Sequence, residues 1–229
     1  MSKPVVKVED LGRMSYQKAW DYQTELQQDI IKQKRAGNPN PDNYLLFCEH
    51  NPVYTLGKSG SADHLLIDIE EQTEFEYFKI NRGGDITYHG PGQLTVYPIF
   101  DLEQFFTDVH RYVRSLEEVV IRTIGQYGIQ GKRVEGFTGV WIEEDGLIVE
   151  RKICAIGVHL SRWVSLHGLA LNVNTDLSHF KNIVPCGIQE EGKDVTSMQS
   201  EINRSLNLDD VKHKIKDSFS DVFTCLLSN

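Results

Sequence analysis

Cysteine is scarce in this chain: Cys48, Cys154, Cys186 and Cys225 are the four in 229 residues, and they are far apart. No C-x-x-C clamp exists and no disulfide framework is suggested, so no metal site is expected and a reducing, cytoplasmic compartment is. Long apolar runs are missing too. No stretch approaches the ~18 apolar residues of a membrane span, and Met1 to Asp10 lacks an apolar core of signal-peptide length. Neither is there an excess of positive charge. Lys and Arg total 24 against 33 Asp and Glu, a formal charge of −9. That balance argues against non-specific binding to nucleic acid or to an anionic membrane as the main activity, and any acidic partner would have to meet a local basic patch. The G-x-x-x-x-G-K-[ST] and G-x-G-x-x-G patterns are also absent, which removes P-loop and dinucleotide readings.

What is present is an ordinary globular composition, 40% hydrophobic and 25% charged. A chain of this length buries roughly 70% of its unfolded surface and needs no metal or disulfide to hold a core. Ser15 reads as an N-cap, followed by Tyr16, Ala19, Trp20, Gln23, Leu26, Ile30 and Ile31 at near-helical spacing until Gly37. Strand-like runs follow at 44–48, 53–56, 75–80 and 94–99. A second helix is expected from Thr107-Asp108, with Val109, Tyr112, Val113, Leu116, Val120, Ile124 and Tyr127 as its buried stripe and Gly128 as its end. Val140-Trp141-Ile142 and Leu147-Ile148-Val149 flank Glu144-Asp145-Gly146, a hairpin signal. Runs at 153–160 and 163–173 read as strands. A last helix is expected from Asp209, with Val211, Ile215, Phe219, Val222, Phe223 and Leu226 on one face. No repeat or linker divides the chain. The reading is one α+β domain over 1–229, a mixed or antiparallel sheet flanked by helices.

The most unusual segment is Asn81 to Gln93, with four glycines in ten residues. Such a segment lets backbone approach backbone or ligand, or simply makes two tight turns around a short strand. Composition alone favours the two turns; against that, Arg82, Thr87, Tyr88 and His89 are costly to bury without partners, which keeps a substrate-lining loop open. Cys186 sits between Pro185 and Gly187. Isolated cysteines are commonly small buried hydrophobes, and Cys48, Cys154 and Cys225 lie inside apolar runs that suit this role. Gly187 would let a following N–H approach an oxyanion at Cys186. A thiolate there needs a cationic neighbour or base. Lys152, His89, His167 and His179 all qualify by residue type, and spacing does not choose among them.

Several motifs in order resemble the lipoyl(octanoyl) transferases. They are Glu49 to Gly57, Arg82-Gly83-Gly84-x-x-Thr87-Tyr88-His89-Gly90-Pro91-Gly92-Gln93-Leu94, and Lys152-Ile153-x-Ala155-Ile156-Gly157. They continue with His167-Gly168-x-Ala170-Leu171-Asn172-Val173, Asp176-Leu177, Phe180, Pro185-Cys186-Gly187-Ile188 and Val195 to Met198. Leu169 and Val184 depart from the family pattern. The resemblance implies the fold of biotin and lipoate protein ligases. It implies that Cys186 accepts the acyl group and that Lys152 lowers its pKa. Arg82, Gly83, Gly84, Asp85, Ile86, Thr87, Tyr88 and His89, with Ala155, Ile156, Gly157, Gly168, Leu169 and Ala170, would bind substrate. The implied reaction moves an octanoyl or lipoyl group from acyl carrier protein to a lysine, without cofactor. The acceptor would be a lipoyl domain of a 2-oxoacid dehydrogenase complex or the glycine cleavage H protein, and the enzyme a monomer. Because both partners are acidic in such systems, Lys132, Arg133, Arg151 and Arg162 are expected at a basic docking rim. A lipoate–protein ligase is the alternative; it uses ATP and needs no nucleophilic cysteine.

Overall fold

The structure is a computed structural model that describes residues 3–71, 73–143, 150–184 and 193–228. In chain order the strands and helices are β1 (Val5–Met14), α1 (Tyr16–Arg35), β2 (Asn43–His50), β3 (Val53–Leu56), β4 (Glu76–Lys79), β5 (Ile86–His89) and β6 (Gln93–Ile99). There follow α2 (Val109–Gly125), β7 (Gly131–Val134), β8 (Phe137–Glu143), β9 (Glu150–Ser161), β10 (Val164–Asn172), β11 (Lys193–Val195), α3 (Met198–Ile202), α4 (Leu208–Phe223) and β12 (Leu226–Ser228). The large sheet runs β12-β1-β2-β6-β10-β9-β8-β7, with β11 added to β9; β4-β3-β5 form a small second sheet. Parallel pairs (β1 with β2 and β12, β11 with β9) mix with antiparallel ones, as the α+β reading expects.

Alternation along the central strands decides which layer covers which face. In β2, Leu45 and Phe47 join the core formed with α2 and α4, whereas Leu46 and Cys48 join the core under α1. In β6, Leu94 and Val96 take the first face, Tyr97 and Ile99 the second. This is the period of two expected of a strand buried on both sides. Tyr112, Leu116, Val120 and Ile124 of α2 and Val211, Ile215 and Phe219 of α4 are all fully buried. Each such side chain contributes about 1.5–3 kcal/mol. Asp108 caps α2 by accepting the Arg111 N–H at 2.9 Å, and Asn207 caps α4 by accepting the Asp209 N–H at 2.7 Å.

Two expectations are corrected, and two further features were not expected. Val109 is 42% exposed, because it sits at the first turn of α2 before the helix meets the sheet. Leu226 is not on the last helix: Thr224 turns left-handed at φ 52° and sends the chain into β12. Strands β1 and β12 were not anticipated, since charged residues interrupt the apolar pattern of β1 and only Val6 is fully buried there. In α2 the stripe also hides a charge, Glu117, with no exposed surface. The hairpin turn at 144–149 and the Pro185-Cys186-Gly187-Ile188 motif lie outside the described residues.

Candidate active site

A cavity of about 470 Å³ opens between the glycine-rich loop and the β7–β8 turn and descends onto β10, β6 and the start of α1. That volume suits a small-molecule chain. Of the residues expected to bind substrate, Arg82, Gly84, Asp85, Thr87, His89, Ala155, Ile156, Gly157, Gly168, Leu169 and Ala170 line it, and Lys152 does as well. Gly83, Ile86 and Tyr88 do not. Strand period explains two of these: Thr87 and His89 face the cavity, so Ile86 and Tyr88 face the opposite way, into a core with Tyr54, Phe75 and Phe180. Gly83 instead pins the loop, its N–H donating to the Val158 carbonyl at 3.0 Å. A Cβ on Gly157 would meet the Gly83 carbonyl at 2.8 Å, so glycine there lets the loop close on β9.

Arg82 is buried, yet each arm of its guanidinium is engaged. Nη2 donates to the Thr55 carbonyl at 2.7 Å and to Thr55 Oγ1 at 3.0 Å, and Nη1 to the Gly83 carbonyl at 3.0 Å. Thr55 Oγ1 lies 3.3 Å from His89 Nε2, and His89 Nδ1 lies 2.7 Å from Gln93 Oε1. The Gln93 amide nitrogen is committed to the Tyr88 carbonyl and to Asn172 Oδ1. Gln93 Oε1 therefore accepts, and His89 carries its proton on Nδ1. Asn172 in turn donates to the Thr196 carbonyl at 2.9 Å, and the Thr196 N–H donates to the Lys152 carbonyl at 2.9 Å. One hydrogen-bond chain thus ties the arginine, the imidazole and the lysine strand together.

Deep in the site, imidazoles are held neutral. Burial lowers His50 to about 4 and His89 to about 3, the latter helped by His50 and Arg82. His167 falls to about 3, through burial first and then Arg82 and His159. Tyr97 and His50 share a 2.5 Å hydrogen bond, and Tyr16 stacks on His89 at 5.9 Å between centroids. The neutral imidazoles and the tyrosine rings form an aromatic end compatible with an apolar chain. Tyr16, Tyr97, His64 and Phe137 line the cavity and were not singled out from sequence. Tyr16 and Tyr97 read as ordinary core positions because a helix stripe and a strand run both need such residues.

Lys152 is 6% exposed. Its Nζ lies 4.6 Å from the centroid of the buried Trp141 ring, a cation–π contact that a desolvated ammonium gains from. Of the other base candidates, His89 and His167 line the cavity with Lys152, whereas His179 packs against Tyr88 and Phe75 outside it. Cys186 lies outside the described residues, and the chain on either side of it is anchored at the cavity walls. Val184 donates to the carbonyl of His64 at 2.8 Å, and Val195 pairs with Lys152. The remaining cysteines are buried: burial pushes the Cys48 thiol up to about 12, that of Cys225 to about 11, and that of Cys154 further still. The basic residues expected at a docking rim are largely neutralised. Lys132 pairs with Glu150 at 3.0 Å, Arg133 with Glu117 at 3.0 Å and Glu118 at 2.8 Å, and Arg151 with Glu201 at 3.0 Å. Arg162 lies at the β9–β10 turn, ten strand positions and about 33 Å from Lys152.

Comparison with known proteins fits this geometry. A solved structure of a bi-partite lipoate protein ligase from Thermoplasma acidophilum superposes with a TM-score of 0.69, at 17% identity, covering all of this chain and 86% of that one. A biotin protein ligase from Aquifex aeolicus, solved with biotin and ATP, gives 0.52 at 12% identity over 97% of this chain and 71% of its own. These likenesses show the fold. Residues 15–220 match the family model of the lipoyl protein ligase A/B catalytic domain, and the chain belongs to that family. Within it the similarity is to octanoyltransferases: that of Cytophaga hutchinsonii is 51% identical over 233 residues, 98% of this chain and 95% of its own length. Among the described residues no helix is long and apolar enough to cross a membrane, and no group of metal-ligating side chains stands together.

Proposed function

We propose that the protein is an octanoyltransferase that carries the acyl group as a thioester on Cys186 and delivers it to a lysine of a lipoyl-bearing protein. The observation that carries this reading is the cavity itself: an inner end of tyrosine and neutral imidazole rings, with Lys152 in its wall and both flanks of the Cys186 segment fastened beside it. The burial of Cys48, Cys154 and Cys225 supports Cys186 as the nucleophile, since a thiol raised by desolvation is a poor one. An ammonium about 4 Å from a thiol is worth up to about 4 kcal/mol at an effective dielectric near 20. Lowering a thiol from ~8.5 to ~7 takes roughly 2 kcal/mol. Lys152 is adequate to that task.

In the first half-reaction the Cys186 sulfur attacks the thioester carbonyl; a new C–S bond forms, the old one breaks, and the carrier thiol leaves with a proton. In the second, the neutral ε-amine of the acceptor attacks the acyl-enzyme. A C–N bond forms, the C–S bond breaks, and Lys152 moves the amine proton to the departing thiolate. Thioester to amide is downhill, so ATP is not required. Octanoyl-acyl carrier protein is the donor, and a lipoyl domain or the glycine cleavage H protein the acceptor, met by a monomer in the cytoplasm. Intact mass tests this: incubation with octanoyl-carrier protein and no ATP should add one octanoyl group. Hydroxylamine or an acceptor domain should then remove it. An unmodified mass until ATP and free acid are supplied would identify a ligase instead.

A further inference from the structure

His64 lies where the glycine-rich loop meets the chain that leads to Cys186. It lines the cavity, and its ring is held from behind by a carboxylate: Nδ1 lies 2.5 Å from Asp85 Oδ2. Asp85 is itself fixed. Its Oδ1 accepts the Ile86 N–H at 2.7 Å, and a Cβ on Gly60 would collide with that oxygen. The backbone beside the ring is fastened as well. The Val184 N–H donates to the His64 carbonyl at 2.8 Å, the Leu66 N–H donates to the Asn182 carbonyl at 2.8 Å, and Leu65 bridges Ile183.

An imidazole that donates to a carboxylate through Nδ1 leaves Nε2 as its acceptor when neutral. Among the described residues Nε2 has no hydrogen-bond partner, and it is not one of the unpartnered atoms sealed from solvent. The His64 side chain is 25% exposed. The two other imidazoles of the cavity differ in this. His89 places its nitrogens against Gln93 and Thr55. His167 places Nε2 against Asn81, and its Nδ1 is sealed. His64 is thus the cavity imidazole with an oriented ring and an open nitrogen, the arrangement of a base held by a third group.

Proton balance gives such a nitrogen a use. Near pH 7 a lysine of pKa ~10.4 is almost wholly ammonium, with about one part in 2,500 as free amine. Between ammonium and amide the acceptor nitrogen loses two protons. The Cys186–Lys152 pair gives one proton to the carrier thiol in the first half-reaction and takes one back in the second. The other must leave by a different route. We propose that His64 is a further catalytic residue, its Nε2 removing that proton from the acceptor lysine while Asp85 holds the ring. The inference rests on the transferase reading above. An N–H bond of the ammonium breaks and its electron pair stays on the amine. The proton forms an Nε2–H bond, the Asp85 carboxylate stabilises the imidazolium, and water takes the proton when the product leaves.

The test separates the half-reactions of the full-length enzyme by rapid mixing and intact mass. With His64→Ala, uptake of octanoyl from its carrier protein should stay within about twofold of the parent, whereas delivery to saturating acceptor domain at pH 7 should slow about a hundredfold. His64→Asn keeps an N–H for Asp85 but supplies no base, so its second step should be as slow. A near-parent second step in His64→Asn, or equal slowing of both steps, would mean that His64 only braces the wall. A loss that saturating acceptor abolishes would place His64 in binding. Each of these overturns the inference and leaves the transferase reading standing. A parent enzyme that takes up no octanoyl group from the carrier overturns that reading and this inference with it.

Discussion

Glu117, buried in the middle of α2, accepts the N–H of Gly139 at 3.1 Å across the edge of the sheet. Gly139 stands at φ +120°, and a Cβ there would lie 3.6 Å from Lys152 Cε. The same carboxylate receives Arg114 at 2.7 Å and Arg133 at 3.0 Å. A helix charge thereby sets the bend in β8 on which the lysine rests. Glu117→Ala should cost about 2 kcal/mol in chemical denaturation, the expense of a buried N–H left unpaired. Glu117→Gln, which keeps an acceptor for Gly139, should cost less. Equal losses would mean the two arginines, not Gly139, are what Glu117 serves.

Lys152→Ala should keep the fold and lose most activity, and Lys152→Arg should not restore it. Arginine preserves the charge but does not give up a proton at workable pH. A near-normal rate for the arginine variant, measured as octanoyl transfer to an acceptor domain, would remove the proton-transfer role from Lys152.

Cys186→Ser should abolish rapid acylation, because a hydroxyl lacks the acidity and nucleophilicity of a thiol. Cys48→Ser should still acquire the octanoyl adduct, as should Cys154→Ser at some loss of stability from a hydroxyl in an apolar core. Peptide mapping of the adduct decides the matter, and an octanoyl group on Cys154 would refute the mechanism.

The buried imidazoles predict a specific acid sensitivity. Burial lowers His50, His89 and His167 to about 4, 3 and 3 in the folded protein, below the ordinary 6.5 of an exposed imidazole. Between those limits the unfolded chain binds more protons than the folded one, so stability rises with pH across that window. Their contribution is complete above about 6.5 and lost as pH falls toward 3–4, at about 1.4 kcal/mol per pH unit for each ring. Denaturation midpoints from pH 7 to 4.5 should fall in the parent and fall less steeply in His50→Gln. A parallel fall would place the protons elsewhere.

Much of this protein was legible from sequence because the relevant physics is local. Ser15 and Asp108 mark helix starts, Gly37 and Gly128 follow helix ends, and the 44–48 and 94–99 runs are strands because residues two apart share a face. The glycine-rich segment and the lysine at the head of β9 stand out by composition, and family membership follows from motif order. Which of those residues face the cavity was not legible. Ile86 and Tyr88 differ from Thr87 and His89 only by strand parity against a second sheet, and that pairing joins β3 to β5 across 30 residues of chain. Nor does sequence reveal that Glu117 serves Gly139, that three histidines are neutral, or that His167 is held at a positive φ. Each depends on partners that lie far away in the chain, such as Gln23, 144 residues before His167. Local propensity writes the elements; desolvation and long-range hydrogen bonding exist only once the layers have closed, and those forces decide what each side chain in the cavity can do.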